Sequence, residues 1–486
     1  TNPRSGEILG ADIMFEYVFL TNRYRAQKLF KTDGGQALTP AEIIQETEKE
    51  LQNSQADHNP FKGCYAADCL HNEHMFANAM LAAQGATDVD KTRLINESIH
   101  YLVLHEMGHT MGLMHNMKAS QLHTPEELAD PNLTYKTGLI GSVMDYPAIN
   151  LNKKKTNVQY CQTEPGPYDL WAIEYGYSQG LDDEAAESAR LKAILEKCIE
   201  PKLTFGNDAD DMRSPGKGID PRVMINDLSS DAVGYGIERI EMTQELMKNL
   251  RATHTDGEIS YQAMLGAYAS LSGAYSSMVG IMSRYIGGVY VNRPFPNQPN
   301  APQPYEPIPH FQQKRAMEAL AKYAFAPNAM EVPSDLIPFL QQQRRGFGFF
   351  AKEEDPKMMN RVSRMQADVL AHLLNPKTLL RISDTKEYGN RYVLTDMMGA
   401  LTNAIFMEDL KSMVNSHRMI LQEMYVKTLL AGALQADKNP YDAISKAAMY
   451  GEITRIQEML KANPGTAEIK AHRSLLLKGI EKAQNN

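Results

Sequence analysis

Positive charge is in short supply: 50 Lys and Arg stand against 59 Asp and Glu, giving a formal charge of -9 at pH 7 and a pI near 5.9. That balance argues against a general nucleic-acid or anionic-membrane surface, and no basic patch stands out. Uninterrupted apolar sequence is also scarce. The best stretch, Ala263 to Val291, is broken by Ser, Gly, Tyr and Arg284, so it reads as a buried helix rather than a bilayer span. Cysteine occurs only four times, at Cys64, Cys69, Cys161 and Cys198. These allow one or two disulfides or four free thiols, so they leave the redox compartment open. No similarity at a fixed period is evident, which favours an irregular helical bundle over a solenoid. What remains is ordinary for soluble globular protein: 43% hydrophobic and 22% charged residues. A length of 486 residues suggests roughly two to four domains.

Against this plain background one stretch carries chemistry: Leu104-His105-Glu106-Met107-Gly108-His109-Thr110-Met111-Gly112-Leu113-Met114-His115. On a helix, His105 and His109 lie one turn apart on the same face, so two imidazoles converge on one metal ion while Glu106 leans toward an open coordination position. Gly112 permits a sharp turn that swings His115 back as third ligand. A fourth position is then left for water, the layout of a catalytic rather than a structural zinc site. An amphipathic core helix with incidental histidines accounts for H-E-x-x-H but not for the added Gly112 and His115.

Downstream, Gly141-Ser142-Val143-Met144-Asp145-Tyr146-Pro147 forms a tight turn opened by Gly and closed by Pro. The two motifs together resemble the metzincin metallopeptidases, in which an extended zinc helix is followed by a methionine-containing turn beneath the metal. The opening P-R-S-G-E-I-L-G, the H-E-M-G-H-T-M-G-L-M-H helix, the S-V-M-D-Y turn and the segment P-Y-D-L-W-A-I-E-Y-G-Y narrow the likeness. Together they resemble the bacterial zinc-dependent metalloproteases of the Met-zincin family, most strongly over roughly the first 180 residues. The resemblance implies an α+β fold: a metzincin-like catalytic domain with a twisted mixed sheet, zinc helix and Met-turn, followed by a mainly α-helical C-terminal region. It implies that Met144 packs beneath the ligands as a polarizable base, with Gly112 as the turn that returns His115. It also places Tyr146 where some metzincins carry a tyrosine near the metal. Anchoring the turn by hydrogen bonding is the alternative role for Tyr146.

Along the rest of the chain, Ile8 to Val18 alternates as an edge or near-edge strand, and Thr39 to Leu51 looks helical. Cys64, Cys69, His71 and His74 fall at a spacing poor for a structural zinc site, so a local disulfide or thiols near a cleft rim is the preferred reading. Asp88 and Asp90 cap the motif helix, with Leu94, Ile95, Ile99, Leu102, Val103 and Met107 expected to face the core or pack on neighbouring elements. His123 reads as a surface residue rather than a ligand. Pro165 to Tyr177 reads as a helix packing its aromatics under the turn, with Gly176 as terminator. The oxygen-rich runs Phe205 to Asp211 and Asp220 to Asp227 carry ligand types that suit Ca2+ but lack EF-hand spacing, so solvated loop is preferred. Long helical patterns follow at 230–252, 257–288, 311–325, 356–374, 392–414, 415–435 and 440–461, interrupted by seven prolines between Pro294 and Pro309 that read as an extended arm. Expected units are 1–200, a zinc peptidase domain; 201–310, a helical region with the acidic loops and proline-rich connector; and 311–486, a C-terminal helical domain.

The expectation is a zinc-dependent endopeptidase with one catalytic Zn2+ on His105, His109 and His115, Glu106 as base and Tyr146 as an accessory group. It acts on a peptide or protein substrate, and the chemistry points to a secreted, periplasmic or cell-surface setting. Two other readings stay open: an inactive or latent zinc-binding scaffold of the cell envelope, and a zinc hydrolase acting on a non-peptide amide.

Overall fold

In the computed structural model, residues 8, 10, 66–154, 157–210, 216, 218–253, 261–341, 356–410, 414–435, 439–461 and 466–485 are described. The expected strand at Ile8 to Val18, the helix at Thr39 to Leu51 and Cys64 lie outside these residues, apart from isolated positions 8 and 10. Helices α1 (Ala66–Ala83) and α2 (Asp88–Thr110) come first, then two short helices, Pro125–Leu128 and Pro131–Thr137. Next are α3 (Pro167–Tyr177), α4 (Glu184–Leu195), α5 (Ala232–Thr253) and α6 (Tyr261–Arg284). Strands β1 (Val289–Val291) and β2 (Tyr305–Pro307) pair antiparallel, with Val289 opposite Pro307 and Val291 opposite Tyr305. Helices α7 (His310–Leu320), α8 (Met358–Leu373), α9 (Pro376–Thr385), α10 (Leu394–Phe406), α11 (Ser416–Leu434), α12 (Ala443–Lys461) and α13 (Ala467–Gln484) complete the chain.

Among the described residues the sheet is this two-stranded ribbon, and the larger mixed sheet implied by the resemblance is not found there. The proline-rich arm forms no helix, as its composition predicts, but two hydrogen-bonded turns, with Asn297 and Asn300 at positive φ, bend its first half. Its prolines lack the N–H a helix needs, and its last part supplies β2. No described helix is long and apolar enough to cross a membrane. The 257–288 pattern forms α6, whose buried side includes Met264, Leu271, Tyr275, Met278 and Ile281.

One apolar cluster runs from Leu70 in α1 through α5, α6 and the C-terminal helices to Ile480. Two buried arginines stitch it. Arg239 on α5 pairs with Glu73 on α1, donates to the Ile149 carbonyl (3.1 Å) and lies over the Phe76 ring. Glu73 in turn accepts from the Ile149 N–H (3.0 Å), so this pair fixes the strand-like segment that leaves the Met144 turn. Arg418 on α11 donates to Asp409 (2.6 Å) and to the Ala404 carbonyl (3.0 Å), tying the ends of α10 and α11 together. A buried guanidinium is tolerable only with its charge paired, as both are here, although Nε of Arg239 has no hydrogen-bond partner.

Candidate metal centre

The site begins with a well-started helix. The Thr87 hydroxyl accepts from the Asp90 N–H while the Asp90 carboxylate accepts from the Thr87 N–H, a capping box that seats α2. The helix ends as sharply. Gly112, at φ +83°, donates to the His109 carbonyl (3.0 Å), and Leu113 donates to that of Gly108 (3.0 Å), the paired bonds of a Schellman turn. That turn redirects the chain so that His115 comes back toward the helix.

The buried face of α2 is not the one its apolar residues suggest. Leu94 and Leu102 are buried as expected, but Ile95, Ile99 and Met107 are exposed. In their place Glu97, Ser98, Tyr101, His105 and Gly108 turn inward. The inward face is polar because it builds the site. Glu97 accepts from the Tyr160 (2.6 Å) and Cys161 (3.0 Å) N–H groups and from the Tyr135 hydroxyl, and the Tyr101 hydroxyl donates to the Asp145 carbonyl.

His105, His109 and His115 bring candidate ligand atoms within 4.8 Å of one another. Each ring is held through Nδ1: His105 donates to the Val143 carbonyl (2.7 Å), His109 to the Leu113 carbonyl (3.1 Å) and His115 to Asp208 Oδ2 (2.8 Å). A carbonyl only accepts, so the proton on His105 and on His109 sits at Nδ1 and leaves the Nε2 lone pair for a metal. The Nε2 atoms of His109 and His115 are 3.1 Å apart, close to the about 3.3 Å that two nitrogens keep around tetrahedral zinc. Burial, and then the neighbouring His109, pushes the His105 pKa down to about 3; burial likewise lowers that of His109. Both imidazoles are therefore neutral at pH 7, the form a metal requires. The donor set, the tautomers of His105 and His109 and the His109–His115 spacing fit zinc.

The other expected residues fall around this cluster. Tyr146 is buried, with its hydroxyl 2.7 Å from His115 Nε2. Glu106 is half-buried beside His105, near enough for its charge to act on His109. Met144 is fully buried directly under α2, where a Cβ on Gly108 would overlap its sulfur. Gly108 is thus the one residue between the two helix ligands that lets the methionine turn approach.

Asp169 on α3 holds that turn. Buried, it accepts from the Ser142 hydroxyl (2.5 Å) and from the N–H groups of Val143 (2.8 Å) and Gly166 (2.8 Å). So α3 does pack under the turn, held there by a carboxylate, while Tyr168 stacks on Phe205 and Trp171 donates to the Ile194 carbonyl. Tyr175 and Tyr177 are exposed, and Gly176 lies within the helix, which ends at Tyr177.

Two further expectations are corrected. His123 is buried, not superficial: Nε2 meets the Gly138 carbonyl at 2.9 Å and Nδ1 faces Glu127, so it organises a loop and is no ligand. The acidic runs, preferred as solvated loop, are paired instead, and Asp220 and Asp227 are buried; among the described residues they form no metal grouping. Asp208 serves His115, Asp210 pairs with Arg293, Asp220 with Lys118 and Arg222, and Asp227 accepts from Ser120 and Gln121. Among the described residues the grouping suited to a metal is the three histidines. Cys161 and Cys198 carry thiols and are not bridged. Burial pushes the Cys161 thiol up to about 12, which leaves it inert at neutral pH.

A long helix bearing two histidines, a glycine turn returning a third, and a methionine turn packed beneath form a cluster that could hold a metal ion. The family model described as Met-zincin matches residues 87–412, more than half of the chain and all of this centre. The chain belongs to the Met-zincin family. No curated protein and no solved structure matches it.

Proposed function

We propose that the chain is a zinc-dependent endopeptidase that hydrolyses peptide bonds of a peptide or protein substrate. The observation that carries this reading is the set of three Nδ1 tethers, which holds three imidazoles in one cluster with Glu106 alongside. His105, His109 and His115 would hold the ion. When bound, zinc supplies Lewis acidity toward a carbonyl oxygen and brings the pKa of water to about 7. Glu106 takes the proton of the attacking water and later delivers it to the departing amine nitrogen, a proton shuttle worth on the order of 100- to 10,000-fold. The Tyr146 hydroxyl, already at the ligand cluster, is a donor for the oxyanion that develops on the substrate carbonyl. Met144 has no chemistry of its own and serves as the floor.

The test is digestion of a diverse peptide library by zinc-loaded protein, with chelator and Glu106→Ala as controls. Cleavage abolished by both is the expected result. Cleavage that survives in purified Glu106→Ala removes the base assignment, and bound zinc without cleavage of any peptide returns the scaffold or non-peptide amide readings. Tyr146→Phe separates catalysis from anchoring, since unchanged turnover assigns the hydroxyl to the turn alone.

A further inference from the structure

Two of the three histidines inherit their positions from α2, but the third does not. His115 stands three residues past Gly112, off the helix, and needs some other hold. Its Nε2 faces the cluster, so Nδ1 is the ring atom left to be tethered, and Nδ1 lies 2.8 Å from Asp208 Oδ2. His105 and His109 rest on neutral carbonyls, whereas His115 rests on a carboxylate.

The loop carrying Asp208 is built for that approach. Its base is paired with the segment just after His115: Met117 N–H donates to the Gly206 carbonyl (2.7 Å), and Gly206 N–H donates to the Asn116 side chain (3.1 Å), whose amide donates to the Thr204 carbonyl (3.0 Å). Gly206 packs so closely on Val223 that a Cβ there would crowd both methyl groups. The tip is a small hydrogen-bonded turn, with Ala209 N–H on the Asn207 side chain (3.0 Å) and Asn207 N–H on Asp210 (3.3 Å). Asp210 is gripped in turn by Arg293, which donates to its two oxygens at 2.8 and 2.7 Å. Arg293 lies between β1 and the proline-rich arm.

We propose that Asp208 is the positioning residue of the third zinc ligand, and that Arg293, by clamping Asp210, makes the head of the proline-rich arm part of the metal centre. This inference rests on the reading of His105, His109 and His115 as zinc ligands. A carboxylate on the far nitrogen fixes the ring tautomer and orientation and raises ligand basicity, and loss of such a partner costs about 10- to 100-fold in metal affinity. Both contacts come from the one Nη2 nitrogen, a charge-assisted hold on the carboxylate that keeps the loop tip against the arm. Asp208 is half exposed; as a solvated loop residue, its removal would leave the metal untouched.

The experiment measures the zinc dissociation constant of the full chain by competition with a chromophoric chelator at fixed pH, alongside thermal unfolding of the zinc-free proteins. Asp208→Ala should bind zinc about 10- to 100-fold more weakly with an unchanged zinc-free melting temperature. Asp208→Asn, which keeps an acceptor oxygen but not the charge, should fall between. Arg293→Gln should weaken binding less than Asp208→Ala, and the double variant should be no worse than Asp208→Ala, because both act through one carboxylate. Zinc affinity within twofold of wild type in Asp208→Ala, or a loss matched by a drop in the zinc-free melting temperature, overturns the positioning role. Additive losses in the double variant overturn the clamp. Failure of the wild type itself to take up zinc sinks the underlying reading, and is distinguishable from either.

Discussion

Gly108 offers a one-methyl probe of the packing between zinc helix and methionine turn. It lies between His105 and His109 on α2, and a Cβ there would come closer to the Met144 sulfur than the 3.0 Å real Cβ atoms keep. Intrinsic preference alone favours the substitution, since Ala is about 1 kcal/mol better than Gly in a helix. Against that, Met144 is fully buried, and its turn is pinned by Asp169 on one side and by the Asn116 N–H to Met144 carbonyl bond (2.9 Å) on the other. The sulfur has no route to solvent, and forcing an extra carbon into such a core costs about 1–3 kcal/mol. The two terms predict that Gly108→Ala destabilises the wild type by up to about 2 kcal/mol and stabilises a Met144→Ala background by up to about 1 kcal/mol. Thermal unfolding of the four zinc-free proteins of this cycle reads the sign directly. A rise in melting temperature of the same size in both backgrounds would refute the packing argument.

Three further outcomes are expected. Arg239→Met strands Glu73 in the core and should cost about 3–5 kcal/mol, whereas adding Glu73→Gln should recover part of the lost melting temperature; a double variant less stable than the single one would contradict the pairing. Asp145 and Asp227 are buried near each other; burial first raises both pKa values, and proximity to Asp227 raises that of Asp145 further, with Asp227 pushed from the ordinary 3.8 up to about 7. A carboxyl whose folded pKa is raised contributes stability that is complete below its unfolded value and is lost as pH rises through the folded one. Asp227→Asn should therefore gain on wild type in melting temperature between pH 5 and pH 8, and a widening deficit over that range would sink the assignment. Zinc at 100 times its dissociation constant should add about 2.7 kcal/mol of stability, removable by chelator, and an unchanged melting temperature on chelation would contradict zinc binding to the folded state.

The ligand set was legible because it is local. His105, Glu106, His109, Gly112 and His115 span eleven residues; helix geometry predicts that His105 and His109 share a face, and the glycine predicts the turn that returns His115. Long helices were legible through their periodicity, though α9 and α13 escaped notice, α9 being short and amphipathic between turns and α13 lying at the chain's polar end. The buried face of α2 was misread because hydrophobic patterning assumes apolar residues turn inward. Here Glu97, Ser98 and Tyr101 go in to hold the segments around the site, and Ile95, Ile99 and Met107 stay out. The tethers were invisible for a different reason. Asp208 lies 93 residues from His115, and Asp169 lies 26 from Val143. A single carboxylate at that separation carries no spacing signal. Gly108 had a local sign, as a glycine inside a helix, but its cause is the distant Met144 sulfur.

The most direct test of the metal centre is zinc content per chain, measured by native mass spectrometry after zinc loading and desalting. The account predicts one zinc ion in the wild type and in Glu106→Ala, and its loss in His109→Ala. Equal zinc in His109→Ala and wild type, or none in the wild type, would contradict it.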